Sequence, residues 1–339
     1  MDRPPTRSSP IPLPLPGAAP AGAIPPASLA RPADEPLASL DADANAMRLG
    51  ATLYMPAIHP ALEAIAAGQR LGGQRSIVVC LEDALHRDDV PRGLDRLQRL
   101  LIGLAAGASA PRPGPRLFVR PRDQDMARRI AALPGIEHIE GFVVPKITPT
   151  EVPAWWRLVH GTALRLMPTL ESAWVFDPIA LAEFAAALDE QPAERLVALR
   201  VGGNDLLAAL RLRRTRGQTL HDGPLAWGLS QLMCQLGSRG HPLSAPVFDV
   251  LDDPETLARE CALDAAFGFV GKTAVHPDQV PIIEAGFRVN ADELANAHEA
   301  LRPQADAVFQ RDGRMLEPAV HAAWARRTLA RAEAYGVMA

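Results

Sequence analysis

The feature that most constrains this chain is an alternation. Short apolar runs and amphipathic segments follow one another eight times between Leu49 and Gly271. The apolar runs are Thr52–Met55, the SIVVCLEDAL stretch, Arg116–Arg120, Gly141–Lys146, Ala163–Pro168, Leu196–Val201, Leu243–Val247 and Phe267–Gly271. Continuous apolar runs of this length suit strands buried on both faces. The segments between them carry helical spacing, as in Val90–Ala106 and Pro254–Ala265, and several end on Gly or follow Pro. Strand–helix units in this number imply a parallel sheet closed into a (β/α)8 barrel, the TIM-barrel form of the α/β class. An open doubly wound sheet is the alternative. No GxGxxG follows the first strand, so a dinucleotide-binding version of it is unsupported.

What precedes and follows the alternation differs in texture. The first thirty or so residues are punctuated by proline, which removes backbone donors and fixes φ. They are expected to form a disordered, polyproline-like tail, assigned to residues 1–44, with no uninterrupted apolar core of a signal peptide. The barrel is assigned to residues 45–285 and an Ala-rich helical appendage to 286–339. No apolar run reaches the roughly 18 residues of a membrane span. The net charge of −4 is evenly mixed, which argues against a nucleic-acid partner. Cys80, Cys234 and Cys261 stand far apart without a CxxC, so a reducing, cytoplasmic setting is expected.

A barrel of this kind gathers its chemistry at the C-terminal ends of its strands. Those ends present Glu82 and Asp83 after strand two, Arg120 after strand three, and Lys146 after strand four. Glu171 follows strand five, Gly203, Asn204 and Asp205 follow strand six, and Lys272 and His276 follow strand eight. Carboxylates without a local His or Cys favour a hard cation, Mg²⁺ or Mn²⁺. Glu171 is the first candidate as one of two such ligands, with Arg120 and Lys146 placed to grip a carboxylate or keto acid. Each residue also has a simpler reading. Glu171 could be a carboxylate favoured by a helix dipole, Asp205 a helix cap, and Glu82, Asp83 and Arg120 ion-pair partners that fix the rim.

The ordered series LYMPAIHP, CLEDAL, LFVRPRD, FVVPKI, TLESA, GGNDLL and GFVGKTAVHPDQV resembles the citrate lyase β-subunit/malyl-CoA lyase group, which also takes in the 2-keto-3-deoxy aldolases. The resemblance runs from about Leu49 to Ala334, and the GFxGKxxxHPxQ segment is its most specific part. It implies a metal-dependent carbon–carbon lyase or aldolase acting on a 2-keto acid or related carboxylate through a metal-bound enolate. It further implies Glu171 and Asp205 as metal ligands and Arg120 as the residue gripping the substrate's carboxylate. Lys146, Glu82 and Asp83 then surround the reacting centre, and Gly203, Asn204 and His276 line the substrate. A homotrimer or hexamer is also implied, with Glu317 on an appendage that can close over a neighbouring subunit. Two departures weaken a CoA thioester as substrate: Cys80 stands where relatives carry an aspartate, and Gly50-Ala51 where acyl-CoA-binding relatives carry Arg-Ser. These changes leave open a specialised or non-catalytic relative working in a tellurite-resistance-type biosynthetic assembly. A phosphoenolpyruvate-type barrel enzyme is the other alternative, although no phosphate-cradling glycine loop stands out.

Overall fold

The computed structural model describes residues 37–71, 73–107 and 114–338. The chain starts with helix α1 (Leu37–Met47) and strand β1 (Ala51–Pro56). It continues through α2 (Leu62–Ala66), β2 (Ser76–Cys80), α3 (Val90–Ala106), β3 (Arg116–Arg120) and α4 (Gln124–Ala131). Then come β4 (Gly141–Val144), α5 (Val152–Val159), β5 (Arg165–Leu170) and α6 (Pro178–Asp189). The second half holds β6 (Leu199–Val201), α7 (Gly203–Ala209), α8 (Leu225–Gln235), β7 (Leu243–Ser244), α9 (Pro254–Phe267), β8 (Lys272–Ala274) and α10 (Gln279–Gly286). After these follow α11 (Ala291–Ala300), a hairpin of β9 (Phe309–Arg311) and β10 (Arg314–Leu316), and α12 (Pro318–Tyr335).

Strands β1 to β8 pair in parallel in the order β7-β6-β5-β4-β3-β2-β1-β8. Ala245, just past β7, bridges to Lys272 of β8 in parallel and brings the two ends of the sheet together. This is the expected (β/α)8 barrel. The strands form because their residues are apolar and largely β-branched or bulky, and every residue of β2 and β4 is buried. The helices form where apolar residues recur three and four apart. In α3, Leu97, Leu100 and Leu101 are buried, and the glycine at 93 lets the helix lie against Leu81 and Leu85. Starts are set by side-chain caps. Asp123, Asp177 and Asp253 accept hydrogen bonds from Met126, Ile179 and Thr256 amides at 2.8, 2.9 and 3.1 Å.

Three expectations are corrected. The tail was taken to residue 44, but residues 37–44 belong to α1. That helix is anchored where Ala46 and Met47 are buried, Asp43 pairs with Arg327 at 2.8 Å, and the Asn45 carbonyl accepts from Arg116 at 2.9 Å. The remainder of the expected tail lies outside the described residues. The eighth strand is not Phe267–Gly271. Phe267 completes α9, Gly268 ends the helix in the left-handed region (φ 99°), and the strand begins at Lys272.

The third correction concerns Lys272, which is fully buried and does not reach the rim. Strand alternation turns it outward against α9, where its ammonium meets Glu260 at 2.8 Å and Asp264 at 2.7 Å. Arg214 joins the same carboxylate of Glu260 and also meets Asp249 at 2.9 Å, while His221 Nε2 lies 2.9 Å from Asp264. These buried charges pin the long β6–β7 connection to the barrel wall.

Two consequences can be measured. A Cβ at Gly141 would overlap the Arg165 carbonyl across the β4–β5 pair, whereas one at Gly103 on α3 meets nothing. Gly141→Ala should therefore destabilise by about 3 kcal/mol or more, and Gly103→Ala should stabilise by about 0.5–1 kcal/mol. Urea unfolding that ranked the two variants in the opposite order would contradict the packing described. The buried network gives the second. Burial alone would raise the Glu260 carboxyl, but Lys272 and Arg214 hold it down at about 2, against an ordinary 4.5. A depressed carboxyl stabilises fully above its unfolded value and loses that contribution as pH falls towards 2. Lys272→Met, which leaves two buried carboxylates short of a cation, should cost about 3–5 kcal/mol at neutral pH. The loss should shrink on acidification, and a pH-independent loss in denaturant melts would contradict it.

Candidate active site

Four strand ends on one side of the barrel bring the predicted carboxylates and cations together. Arg120, the last residue of β3, places Nη2 2.9 Å from Glu171 Oε1 and 2.8 Å from Glu82 Oε2. One guanidinium thus joins the ends of β2, β3 and β5. Asp83 Oδ2 stands further from the same nitrogen, at 3.7 Å. Lys146 Nζ pairs with Glu82 Oε1 at 2.7 Å and with Asp83 Oδ2 at 3.0 Å. Its backbone amide donates to Glu171 Oε1 at 2.8 Å. That double role depends on backbone geometry, since Lys146 adopts the left-handed region with φ 46°. A non-glycine residue held there marks a position the surroundings over-determine. The loop is braced by Trp174, whose indole N–H donates to the Ile147 carbonyl at 3.0 Å. Arg122 braces the β2 end by donating to the Glu82 and Leu85 carbonyls at 3.2 and 2.5 Å.

The electrostatics follow from burial. The Glu171 side chain is 1% exposed. Burial pushes its carboxyl up, Arg120 and the Lys146 amide pull it back, and Asp205 and Glu82 push it up again, leaving it at about 7. Burial works against the charge on Arg120, but Tyr54, Glu171 and Glu82 outweigh it and hold the guanidinium above its ordinary value. Lys146 is likewise held above the ordinary lysine range, because Glu82 and Asp83 overcome its desolvation. Asp83 sits below the usual carboxylate range: partial burial raises it, and the Lys146 contact and Arg120 more than compensate. Both cations therefore remain charged across the physiological range.

The donor set suits a hard divalent cation. Oε1 of Glu171 is saturated by Arg120 and Lys146, whereas a Cβ at residue 202 would lie 2.7 Å from Oε2. Glycine at 202 thus keeps space beside that oxygen, and the half-buried Asp205 stands three residues on, in the first turn of α7. Among the described residues no group of three or more His, Cys, Asp or Glu is arranged around one point. Two carboxylates with the remaining positions left to water and substrate is an arrangement Mg²⁺ commonly accepts.

Other predicted residues are placed differently. Gly203 is buried at the start of α7, where a side chain would meet Pro246, and Asn204 beside it is exposed. His276 is half exposed and folded into its own turn, with Nδ1 accepting from the Asp278 amide at 3.3 Å. Glu317 precedes α12, and its amide donates to His321 Nδ1 at 2.9 Å. Gly50 takes a left-handed φ of 62°, and any side chain there would collide with the Arg75–Glu284 ion pair. Arg200 of β6 was not singled out from the sequence. Its guanidinium lies 5.0 Å from the Tyr54 ring of β1 and hydrogen-bonds Thr273 of β8. Strand β6 can touch both only through the barrel interior. An arginine inside the otherwise apolar run LVALRV was the visible signal.

Comparison with known proteins agrees with the barrel fold. The family model for C–C bond lyases of the TIM-barrel fold matches residues 43–337. A (3S)-malyl-CoA thioesterase of Cereibacter sphaeroides (strain ATCC 17025 / ATH 2.4.3) is 30% identical over 271 residues, which cover 76% of this chain and 87% of that protein. The same-named protein of strain ATCC 17029 / ATH 2.4.9 is 34% identical over 148 residues, 41% of this chain, and there the chain spans only 50% of the relative's length. Among solved structures, the CitE protein of Mycobacterium tuberculosis in complex with magnesium, acetoacetate and coenzyme A superposes with a TM-score of 0.61. It is 22% identical and covers 84% of this chain and 99% of its own, a likeness of fold. No helix among the described residues is long and apolar enough to cross a membrane. With the barrel, the rim carboxylates and a family match along nearly the whole described chain in agreement, the protein belongs to the C–C bond lyases of the TIM-barrel fold.

Proposed function

We propose that this chain is a Mg²⁺- or Mn²⁺-dependent enzyme that cleaves or forms a carbon–carbon bond next to the carbonyl of a 2-keto acid or related carboxylate. The observation that carries the reading is the divided role of Glu171. One of its oxygens is fixed by Arg120 and the Lys146 amide, and the other faces the gap beside Gly202 near Asp205. Glu171 and Asp205 would hold the cation. When bound, the cation supplies positive charge for an oxyanion developing at the carbonyl beside the reacting bond. The magnesium in the CitE structure supports this choice of metal.

The chain's own residues divide the remaining work. Arg120 keeps its charge and presents a planar fork, so it orients a carboxylate while fixing Glu171. Lys146 stays protonated and lies at the solvent-facing edge, where it balances negative charge brought by the substrate. Glu82 and Asp83 hold Lys146 and Arg120 in place. Assembly as a homotrimer or hexamer belongs to this proposal. A CoA thioester is the second reading, and the thioesterase relatives support it despite Cys80 and Gly50.

Isothermal titration with Mg²⁺ or Mn²⁺ should show one site per chain, and Glu171→Ala and Asp205→Ala should each abolish it. Metal binding that survives both substitutions would remove the assignment. Arg120→Lys keeps the charge but loses the fork. It should raise KM for a cleaved 2-keto acid on the order of tenfold, about 1.4 kcal/mol. An unchanged KM would contradict its role. Turnover of malyl-CoA with no cleavage of free keto acids would select the thioester reading.

A further inference from the structure

The barrel interior below the rim carries a charge that the proposed chemistry does not use. Arg200 is 1% exposed, and its Nη1 has no hydrogen-bond partner. Among the described residues no carboxylate stands within ion-pairing distance of it. Its contacts are a tyrosine ring and a threonine hydroxyl, both uncharged. An uncompensated buried guanidinium is costly and persists where something repays it.

Two neighbours share the condition. Thr169 is paired with Arg200 across β5 and β6, so both side chains lie on the same face, and the Thr169 hydroxyl also lacks a partner. Two residues along the same strand line is Glu171, which holds Arg120, and Arg120 Nε is the third buried donor without an acceptor. The residue paired with Arg120 on β2 is Cys80, a thiol, so this register position adds no further anion beside Arg120. Burial keeps that thiol protonated, raising it above its ordinary value. Strands β3, β5 and β6 thus turn two guanidiniums and a hydroxyl inward; Glu171 and Glu82 engage only Arg120 Nη2, and Arg120 Nε, Arg200 Nη1 and the Thr169 hydroxyl are left without an acceptor. Like charges gathered in a low-dielectric interior repel unless an anion lies between.

We propose that Arg200 is a substrate-binding residue. With Arg120 Nε and the Thr169 hydroxyl, it receives the carboxylate of the ligand inside the barrel, below the rim. The choice of a small keto acid as ligand rests on the proposed function, while the anion site itself does not depend on a metal. Two arginines and a hydroxyl this deeply buried select a compact carboxylate, whose carbonyl would then stand towards Glu171. Arg120 grips the same group from above, so the two arginines fix the depth at which the substrate stands. Burial pulls Arg200 below its ordinary value, although Tyr54 and Glu171 oppose the shift, so an incoming anion would also stabilise its charge.

The test is a titration of full-length protein with pyruvate, and separately malonate, in EDTA and anion-poor buffer, read by calorimetry and thermal unfolding. Wild-type protein should bind at least one of them and gain Tm. Arg200→Met should bind at least about tenfold more weakly, as loss of a charged hydrogen bond requires. Its Tm without ligand should equal or exceed that of wild type, because an unpaired buried charge has been removed. Thr169→Val, which deletes one donor at constant shape, should weaken binding several-fold at unchanged Tm, and it decides the matter if Arg200→Met does not fold. Wild-type affinity in both variants, or no binding of either anion by wild type, would overturn the proposal. Because EDTA is present, these outcomes are independent of whether Glu171 and Asp205 hold a cation.

Discussion

Arg120 is one guanidinium shared by two carboxylates on different strands, and the rest of the site is arranged around that sharing. Its Nη2 ties Glu82 to Glu171 across the ends of β2, β3 and β5. Glu171 is so deeply buried that desolvation brings it to about 7 even with a cation alongside. Without Arg120 it would be a neutral acid in an apolar wall. Glu82, freed from the same partner, would keep only Lys146 and the Asp83 amide. The arginine thus makes it feasible to hold carboxylates from different strands at one rim. It uses only one oxygen of Glu171, and the other lies beside Gly202.

The barrel supplies the geometry this requires. Parallel strands bring residues far apart in sequence to one rim, and the register of β3, β4 and β5 sets Arg120, Lys146 and Glu171 at neighbouring ends. Lys146 then takes a conformation rare for a side-chain-bearing residue so that its amide and ammonium serve different carboxylates. On the opposite side of β8, Lys272 answers a different need. Turned to the helix layer, it closes a buried ion network that secures the connection following α7, the helix that carries Asp205.

Much of this was legible in the sequence because barrel strands are apolar on both faces and stop abruptly at polar residues. Glu82, Arg120, Lys146 and Glu171 could be named from those stops alone, and the structure brings them within hydrogen-bonding distance of one another. What was not legible depends on register or on backbone torsion. FGFVGK reads as a strand ending in lysine, yet Phe267 still belongs to the helix and Gly268 ends it, which moves Lys272 into the strand and onto its outer face. Residues 37–44 looked like tail because they follow the proline-rich stretch and their apolar residues are mostly alanine, and only distant partners such as Arg327 at Asp43 and Arg116 at Asn45 show that the helix is held. Arg200 was a charge in an apolar strand, but its inward direction and its lack of a counter-ion are properties of the closed barrel. His276 lies in the segment that carried the most specific part of the resemblance, and its ring caps its own turn.

The central claim is that Glu171 and Asp205 together hold a divalent cation at the rim, on the side of Glu171 that Arg120 leaves open. Anomalous scattering from a crystal soaked in Mn²⁺ tests it most directly. The account predicts a single peak within about 2–2.5 Å of a Glu171 oxygen and an Asp205 oxygen, on the Gly202 side of the glutamate. A peak elsewhere, or one reached by neither carboxylate, would contradict it.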